Sequence, residues 1–241
     1  CSTYSEQNYE KEYINMLNRH IVDGIIAGSH LLDFEEYQGV QGPIVALDRF
    51  LGESIPVVST NHKIGGKLAA EELIRNNCRC VLQIQGARVV DSPSHERHYE
   101  FERYMKKHGV TVYSHEMDWN DFDYGQYDVM AGMLMDKYPD IDGIFAVDMV
   151  AIACIRQLLK RKKKVPRDVK VVAYDGTYVA KVGVMNLTVV QQPIEELAKR
   201  AVDILLNMIQ GKKYHSKKAF FEPSLLYGDT TYDNDKIEFE N

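Results

Sequence analysis

The stretch from Ile141 to Glu195 reads IDGIFAVDMVAIACIRQLLKRKKKVPRDVKVVAYDGTYVAKVGVMNLTVVQQPIE. Two short, mainly apolar runs in it stop at Asp148 and at Asp175, and a helix-length segment separates them. A third run, 187–190, stops at the sequence QQP. Open α/β sheets present their ligand contacts at the carboxyl ends of the strands. The stretch therefore predicts parallel strands joined by a helix, with polar side chains at the ligand-binding edge.

The same alternation of apolar runs and helical patterns extends over most of the chain. About ten strand candidates can be counted, which is many for one open sheet; the last two are residues 219–222 and 225–227. Repeated β-α-β units predict parallel sheets with right-handed crossovers. The clearest helical pattern, Ile194–Gln210, places its apolar residues on one face. We therefore expect an α/β fold in two lobes, with a ligand in the cleft between them.

Composition and missing motifs argue against several classes of function. The formal net charge is −6, so the chain carries no electrostatic footprint for nucleic acid. The basic run Lys160–Lys164 lies at a predicted helix end, where cations suit the helix dipole. The sequence contains no membrane-length apolar run, glycine-rich nucleotide loop, nucleophile elbow or zinc-type cysteine spacing. We expect no membrane span, no cofactor, no metal and no enzyme activity.

Several segments of the chain are similar to the sequence motifs of one known protein family. Val165–Asp175, reading VPRDVKVVAYD, is similar to the family's VPxDVxVVGYD, and Leu187–Pro193, reading LTVVQQP, is similar to LTTVxQP. Asn61–Glu71, reading NHKIGGKLAAE, matches DNxxGGxLA, and Asp48-Arg49 matches the family's IDR. In their order and spacing these segments resemble the effector-binding core of LacI-family transcriptional repressors, and the resemblance covers residues 10–231. Within the family the pattern looks closest to repressors of the sucrose-operon type.

The resemblance implies two Rossmann-like lobes of the type I periplasmic-binding-protein kind, joined by three crossovers. It divides the chain into an N-terminal lobe (1–60 and 192–214), a C-terminal lobe (61–191 and 215–231) and a polar tail (232–241). The family's helix-turn-helix headpiece, hinge helix, first strand and first helix have no counterpart in this sequence. The N-terminal lobe is therefore expected to be incomplete.

In that family the effector pocket lies between the lobes, and the resemblance places Arg97 and Asp175 in it. A guanidinium offers a planar fork of donors to hydroxyls or carboxylates, and a carboxylate accepts two sugar hydroxyls. The alternatives are a surface arginine at a helix start and a helix N-cap for the aspartate. Asp48 and Gln192 match a first-lobe contact and a crossover contact. Asp148 either contacts the ligand or caps the helix that follows it.

An aromatic residue is also expected in the pocket. Trp119, the only tryptophan, lies on the loop after a predicted strand. Its ring can stack on the apolar face of a sugar, because aromatic side chains offer a large flat surface with one donor. Packing in the core is the alternative. Phe122 and Tyr124 are the other aromatic candidates on this loop.

Three classes of function compete. The resemblance implies the sugar-sensing domain of a cytoplasmic bacterial repressor, in which ligand alters a homodimer and its affinity for operator DNA. DNA would be bound through a headpiece absent from this chain. A periplasmic sugar-binding protein of a transport system is the alternative, with the same fold. An α/β enzyme is the third, but no nucleophile–base pair has recognisable spacing. The VPRDVKVVAYD and VVQQP segments favour the repressor.

Overall fold

The computed structural model describes residues 7–28, 37, 39–40, 42–89, 92–118, 123–183, 185–213 and 217–231. Its helices are α1 (Gln7–Asn18), α2 (His62–Arg75), α3 (Glu96–Lys107), α4 (Tyr124–Lys137), α5 (Asp148–Lys160) and α6 (Ile194–Ile209). Its strands are β1 (Ile25–Ala27), β2 (Ile44–Leu47), β3 (Val57–Thr60), β4 (Cys80–Gln85), β5 (Thr111–Glu116), β6 (Gly143–Val147), β7 (Lys170–Asp175), β8 (Thr188–Gln191), β9 (Lys218–Phe221) and β10 (Ser224–Leu226).

The described residues divide into two compact units, each built from separate segments of the chain. The first unit comprises the residues up to Asn61, then Arg88–His95 and Pro193–Phe221. The second comprises His62–Ala87, Glu96–Gln192 and the residues from Glu222 onward. Each unit has its own sheet and its own hydrophobic clusters.

The first unit is built on a parallel sheet with the strand order β1-β2-β3-β9. Side chains along a strand point alternately to its two faces. Ile44 and Ala46 of β2 accordingly pack in the cluster that contains α1, whereas Val45 packs with α6. Leu197 and Ile204 recur at helical spacing on α6 and are buried there. Because helices cover both faces of the sheet, its inner strand β2 is continuously apolar and reads IVAL.

The second unit is built on a six-stranded sheet with the order β10-β8-β7-β6-β4-β5. Strands β4 to β8 are parallel to one another, and β10 runs antiparallel, against β8. Val171 and Ala173 of β7 pack with α4 and α5, whereas Val172 and Tyr174 pack with α2 and α3. The carboxyl ends of β4, β6, β7 and β8 therefore lie along one edge of this sheet.

The predicted α/β fold with mainly parallel sheets is confirmed. The three apolar runs that decided it form β6, β7 and β8. Asp148 is the first residue of α5, and Asp175 is the last residue of β7. Within the described part of the chain, no helix combines the length and the hydrophobicity needed to cross a bilayer.

The last two strands differ from the expected division of the chain. Residues 215–231 were expected to belong together to the second lobe. In the structure β9 pairs in parallel with β3 of the first unit, whereas β10 pairs with β8 of the second. Ala219 and Phe221 pack on the cluster that contains α6, and this contact holds β9 in the first unit. The chain thus passes from the first unit to the second after Phe221, not after residue 214.

Candidate ligand-binding site

Asp175 and Gln192 meet where β7 and β8 end. The side-chain Nε2 of Gln192 donates to Oδ1 of Asp175 at 2.7 Å, and its backbone N–H donates to the Asp175 carbonyl at 3.0 Å. Asp175 adopts a positive φ of 103°, which is rare for a residue with a side chain and concentrates at functional sites. Burial raises the pKa of its carboxyl, whereas the charge of Arg97 lowers it. The carboxylate at this strand end therefore destabilises the folded state unless hydrogen-bond donors or a cation pair with it.

Arg97 lies in the first turn of α3 and faces the same strand end. The central carbon of its guanidinium lies 4.5 Å from the centre of the Tyr174 ring. Its Nε donates to Nε2 of His98 at 3.1 Å. Among the residues that the structure describes, its two terminal nitrogens have no hydrogen-bond partner. The guanidinium is therefore held by its face and by one edge, and its four terminal N–H groups remain available.

Tyr174 forms the floor beneath Arg97 and is fully buried. Its hydroxyl lies 2.9 Å from Nδ1 of His62, the first residue of α2, and the two rings stack. A Cβ atom at Gly65 would overlap this hydroxyl, and one at Gly66 would overlap the backbone carbonyl of Arg97. The adjacent glycines of α2 therefore allow both the tyrosine ring and the start of α3 to approach the helix closely.

Asp148 is 2% exposed and connects two neighbouring strand ends. Its Oδ2 accepts from both the backbone N–H and the hydroxyl of Thr177 at 2.7 Å, and Oδ1 accepts from the backbone N–H of Gly176 at 3.4 Å. Burial raises the pKa of Asp148, and the Thr177 bonds oppose that shift. The carboxylate does not cap its own helix, because these three bonds go to the loop after β7. It holds in place the loop that begins at Asp175.

Asp48 lies in the first unit, directly after β2, at the carboxyl edge of that sheet. Its Oδ1 accepts from the Ser59 hydroxyl at 2.5 Å, and its carbonyl accepts from the Ser92 hydroxyl at 2.7 Å. Its φ of 51° is positive, as at Asp175. Two of the aromatic candidates, Trp119 and Phe122, lie outside the described residues.

The structure thus brings together Arg97, Asp175 and Gln192 at one strand end, and Asp148 bonds the two residues that follow Asp175. Sequence reasoning missed the residues that support this group: Tyr174, His62, His98 and Thr177. Tyr174 stands directly before Asp175, and the apolar run around it indicates a strand but not its contacts with Arg97 and His62. His62 and Tyr174 are 112 residues apart, so no local pattern could pair them.

A concavity lies at the opposite edge of the second sheet. It measures about 320 Å³ and is lined by residues such as Tyr138, Arg161 and Val169. These residues stand at the end of α4, after α5 and before β7. Ligand contacts in open α/β sheets occur at the carboxyl edge, so the group around Arg97 and Asp175 is the better candidate.

Comparison with known proteins identifies relatives of this chain. Residues 70–231 match the family described as the periplasmic binding protein-like domain. The ribose operon repressor of Halalkalibacterium halodurans is 30% identical over 239 residues, which are 99% of this chain and 71% of that protein. The sucrose operon repressor of Streptococcus mutans is 31% identical over 210 residues, which are 87% of this chain and 64% of that protein.

Solved structures of similar fold include regulators of the same kind. The crystal structure of a periplasmic binding protein/LacI transcriptional regulator from Alkaliphilus metalliredigens, complexed with D-xylulofuranose, matches with a TM-score of 0.84. The two chains are 27% identical, and the match covers 97% of this chain and 86% of the other. The chain therefore belongs to the family of periplasmic binding protein-like domains and, within that family, to the LacI-type repressors.

Proposed function

We propose that this chain is the sugar-sensing domain of a bacterial LacI-type transcriptional regulator. The observation that carries the proposal is that Arg97, whose terminal N–H groups have no partner among the described residues, lies at the strand end that carries Asp175 and lowers the pKa of that carboxyl by its charge. A sugar offers adjacent hydroxyls that both accept and donate, which is the complement of this pair. Gln192 holds the carboxylate in position. The named functions of the matched repressors support the same class of ligand.

The proposed ligand is a neutral sugar. A phosphate group needs more than one cation to balance it, and the carboxylate of Asp175 beside Arg97 opposes a second anion. Relatives named for ribose and for sucrose match at nearly equal identity, 30% and 31%, so both are reasonable probes. D-xylulose is a third, since it is the sugar in a similar solved structure.

The proposed regulatory step is a shift between two states of a cytoplasmic homodimer. Sugar can change operator affinity only if it binds the two states with different affinities. DNA would be contacted by a headpiece outside this chain. The two relatives are named as repressors of the ribose and sucrose operons, which favours this function over sugar transport or catalysis. Conversion of a bound sugar into a product would contradict the proposal.

A thermal-shift titration with D-ribose, sucrose and D-xylulose tests the proposal. A sugar at about 100 times its dissociation constant should add roughly 2.7 kcal/mol of stability to the folded chain. Arg97→Ala should abolish the shift, because it removes the terminal donors. Arg103→Ala is the matched control, because Arg103 lies on the same helix and pairs with Glu100 instead. A sugar-dependent shift that survives in Arg97→Ala would contradict the site.

A further inference from the structure

We infer that His98 is a positioning residue for the proposed sugar, and that a hydrogen-bond relay through Gln83 fixes it in one neutral tautomer to hold Arg97. The relay runs from Ser114 on β5 to Arg97 on α3, entirely within the second unit. The inference deepens the proposed function and rests on it. Its residues are brought together from β4, β5 and α3.

At the Ser114 end of the relay, the carboxylate of Glu102 accepts two hydrogen bonds. Its Oε1 accepts from the Ser114 hydroxyl at 2.5 Å and from Nε2 of Gln83 at 2.9 Å. Nε2 of Gln83 also donates to the Ser114 oxygen at 3.2 Å. An ionised carboxylate can only accept, so the amide of Gln83 must direct its NH₂ group to Glu102. Its carbonyl oxygen is therefore directed to the other side.

That carbonyl oxygen determines the tautomer of His98. Oε1 of Gln83 lies 3.3 Å from Nδ1 of His98, and a carbonyl oxygen can only accept, so Nδ1 carries the proton. In a neutral imidazole the other nitrogen is then an acceptor. Nε2 lies 3.1 Å from Nε of Arg97, which can only donate. The two ends of the relay thus require the same tautomer.

The consequence for Arg97 is a guanidinium held without use of its terminal nitrogens. The Tyr174 ring supports its face, and His98 accepts from its Nε. The four terminal N–H groups are left in one plane with a fixed direction, which reduces the entropy that a ligand must remove on binding. A lysine could not be fixed in this way, because it has neither the planar fork nor a side nitrogen.

Two substitutions of His98 test the role of the acceptor. His98→Phe keeps an aromatic ring beside Phe145 but removes the acceptor, whereas His98→Gln can return an amide oxygen to Arg97. Calorimetric titration of the full chain with D-ribose, sucrose and D-xylulose should show affinity about ten- to a hundred-fold weaker in His98→Phe, as for loss of a charged hydrogen bond. His98→Gln should recover most of it. His108→Phe, at an exposed histidine just after α3, is the matched control and should bind normally.

The tautomer itself is measured without ligand, from the ¹⁵N chemical shifts of the His98 ring assigned with His98→Gln. The expected result is a protonated Nδ1 and an unprotonated Nε2. A protonated Nε2 overturns the relay, and so does unchanged affinity in His98→Phe or equal weakness of His98→Phe and His98→Gln. If the unsubstituted chain binds none of the three sugars, the proposed function and the sugar-binding role of His98 both fail. The tautomer measurement still decides the relay in that case.

Discussion

Three features of Asp175 raise the free energy of the folded state: a half-buried carboxylate, a positive φ and a nearby second carboxylate, Asp148. Part of this could be predicted from the sequence. An aspartate directly after an apolar strand in an α/β pattern indicates a ligand contact, and Arg97 and Gln192 follow from the resemblance. The supporting contacts could not be predicted, because the His62–Tyr174 bond spans 112 residues and the tautomer of His98 leaves no trace in the sequence.

The raised pKa of Asp175 predicts how an isosteric change affects stability. A pKa above that of the unfolded chain means that the folded state disfavours the ionised form at neutral pH, and that acidification towards the raised pKa relieves the cost. Asp175→Asn keeps the acceptor oxygen for Gln192 and removes the charge. We expect it to raise the melting temperature at neutral pH while weakening sugar binding.

The control for this prediction is Asp168→Asn, which should have the opposite effect. Hydrogen bonding from the backbone of Lys164 lowers the pKa of Asp168, so its contribution is present at neutral pH and is lost as the pH falls. Melting temperatures of both variants measured from neutral to acidic pH check the signs. A melting temperature for Asp175→Asn that is lower than the parent's at neutral pH would contradict the argument.

At the scale of elements, strand ends were easier to predict than strand partners. The runs that became β6, β7 and β8 end close to the residues expected from the sequence. The runs that became β9 and β10 were found, but their sheets could not be predicted, because a run of three or four residues is compatible with either sheet. Their separation is decided by distant contacts, β9 with β3 and β10 with β8.

The contact between α2 and α3 gives a second test. Gly66→Ala should gain up to about 1 kcal/mol of helix propensity. The new Cβ, however, would overlap the backbone carbonyl of Arg97, which cannot rotate away. Forced separation of packed elements costs about 1–3 kcal/mol, so net destabilisation is expected in denaturant unfolding.

Gly132→Ala is the matched helical control for that measurement. Gly132 lies inside α4, and its new Cβ would lie 3.3 Å from Oε1 at the far end of the Gln157 side chain, not from a backbone atom. This variant should be neutral or more stable than the parent. Equal stability changes at the two glycines would show that close packing against α3 is not what selects glycine at position 66.

At the scale of the whole molecule, residues 217–231 complete both units. They supply β9 to the first sheet and β10 to the second. Beyond β10, the Thr230 hydroxyl donates to the Val171 carbonyl at 2.6 Å and accepts from the Thr188 backbone N–H at 2.8 Å, and Thr230 is fully buried. This short segment therefore contributes one strand to the sheet of each unit.

A chain that ends at Lys213 should consequently lose protection against hydrogen exchange in β3 and in β8, because each loses a paired neighbour. Removal of residues 232–241 alone is the control, since their polar and acidic composition predicts little contribution to stability. Loss of protection confined to one of the two strands would contradict a shared role for the segment.

The Asp148–Thr177 contact has a practical consequence for changing specificity. Its hydrogen bonds anchor the loop after β7, whereas Arg97 and Asp175 are the residues that the proposed site places against the sugar. A library randomised at Asp175 and Gln192 should therefore retain a high proportion of folded members, whereas one randomised at Asp148 and Thr177 should not. Such a separation makes this domain a suitable starting scaffold for biosensors that respond to sugars other than its own.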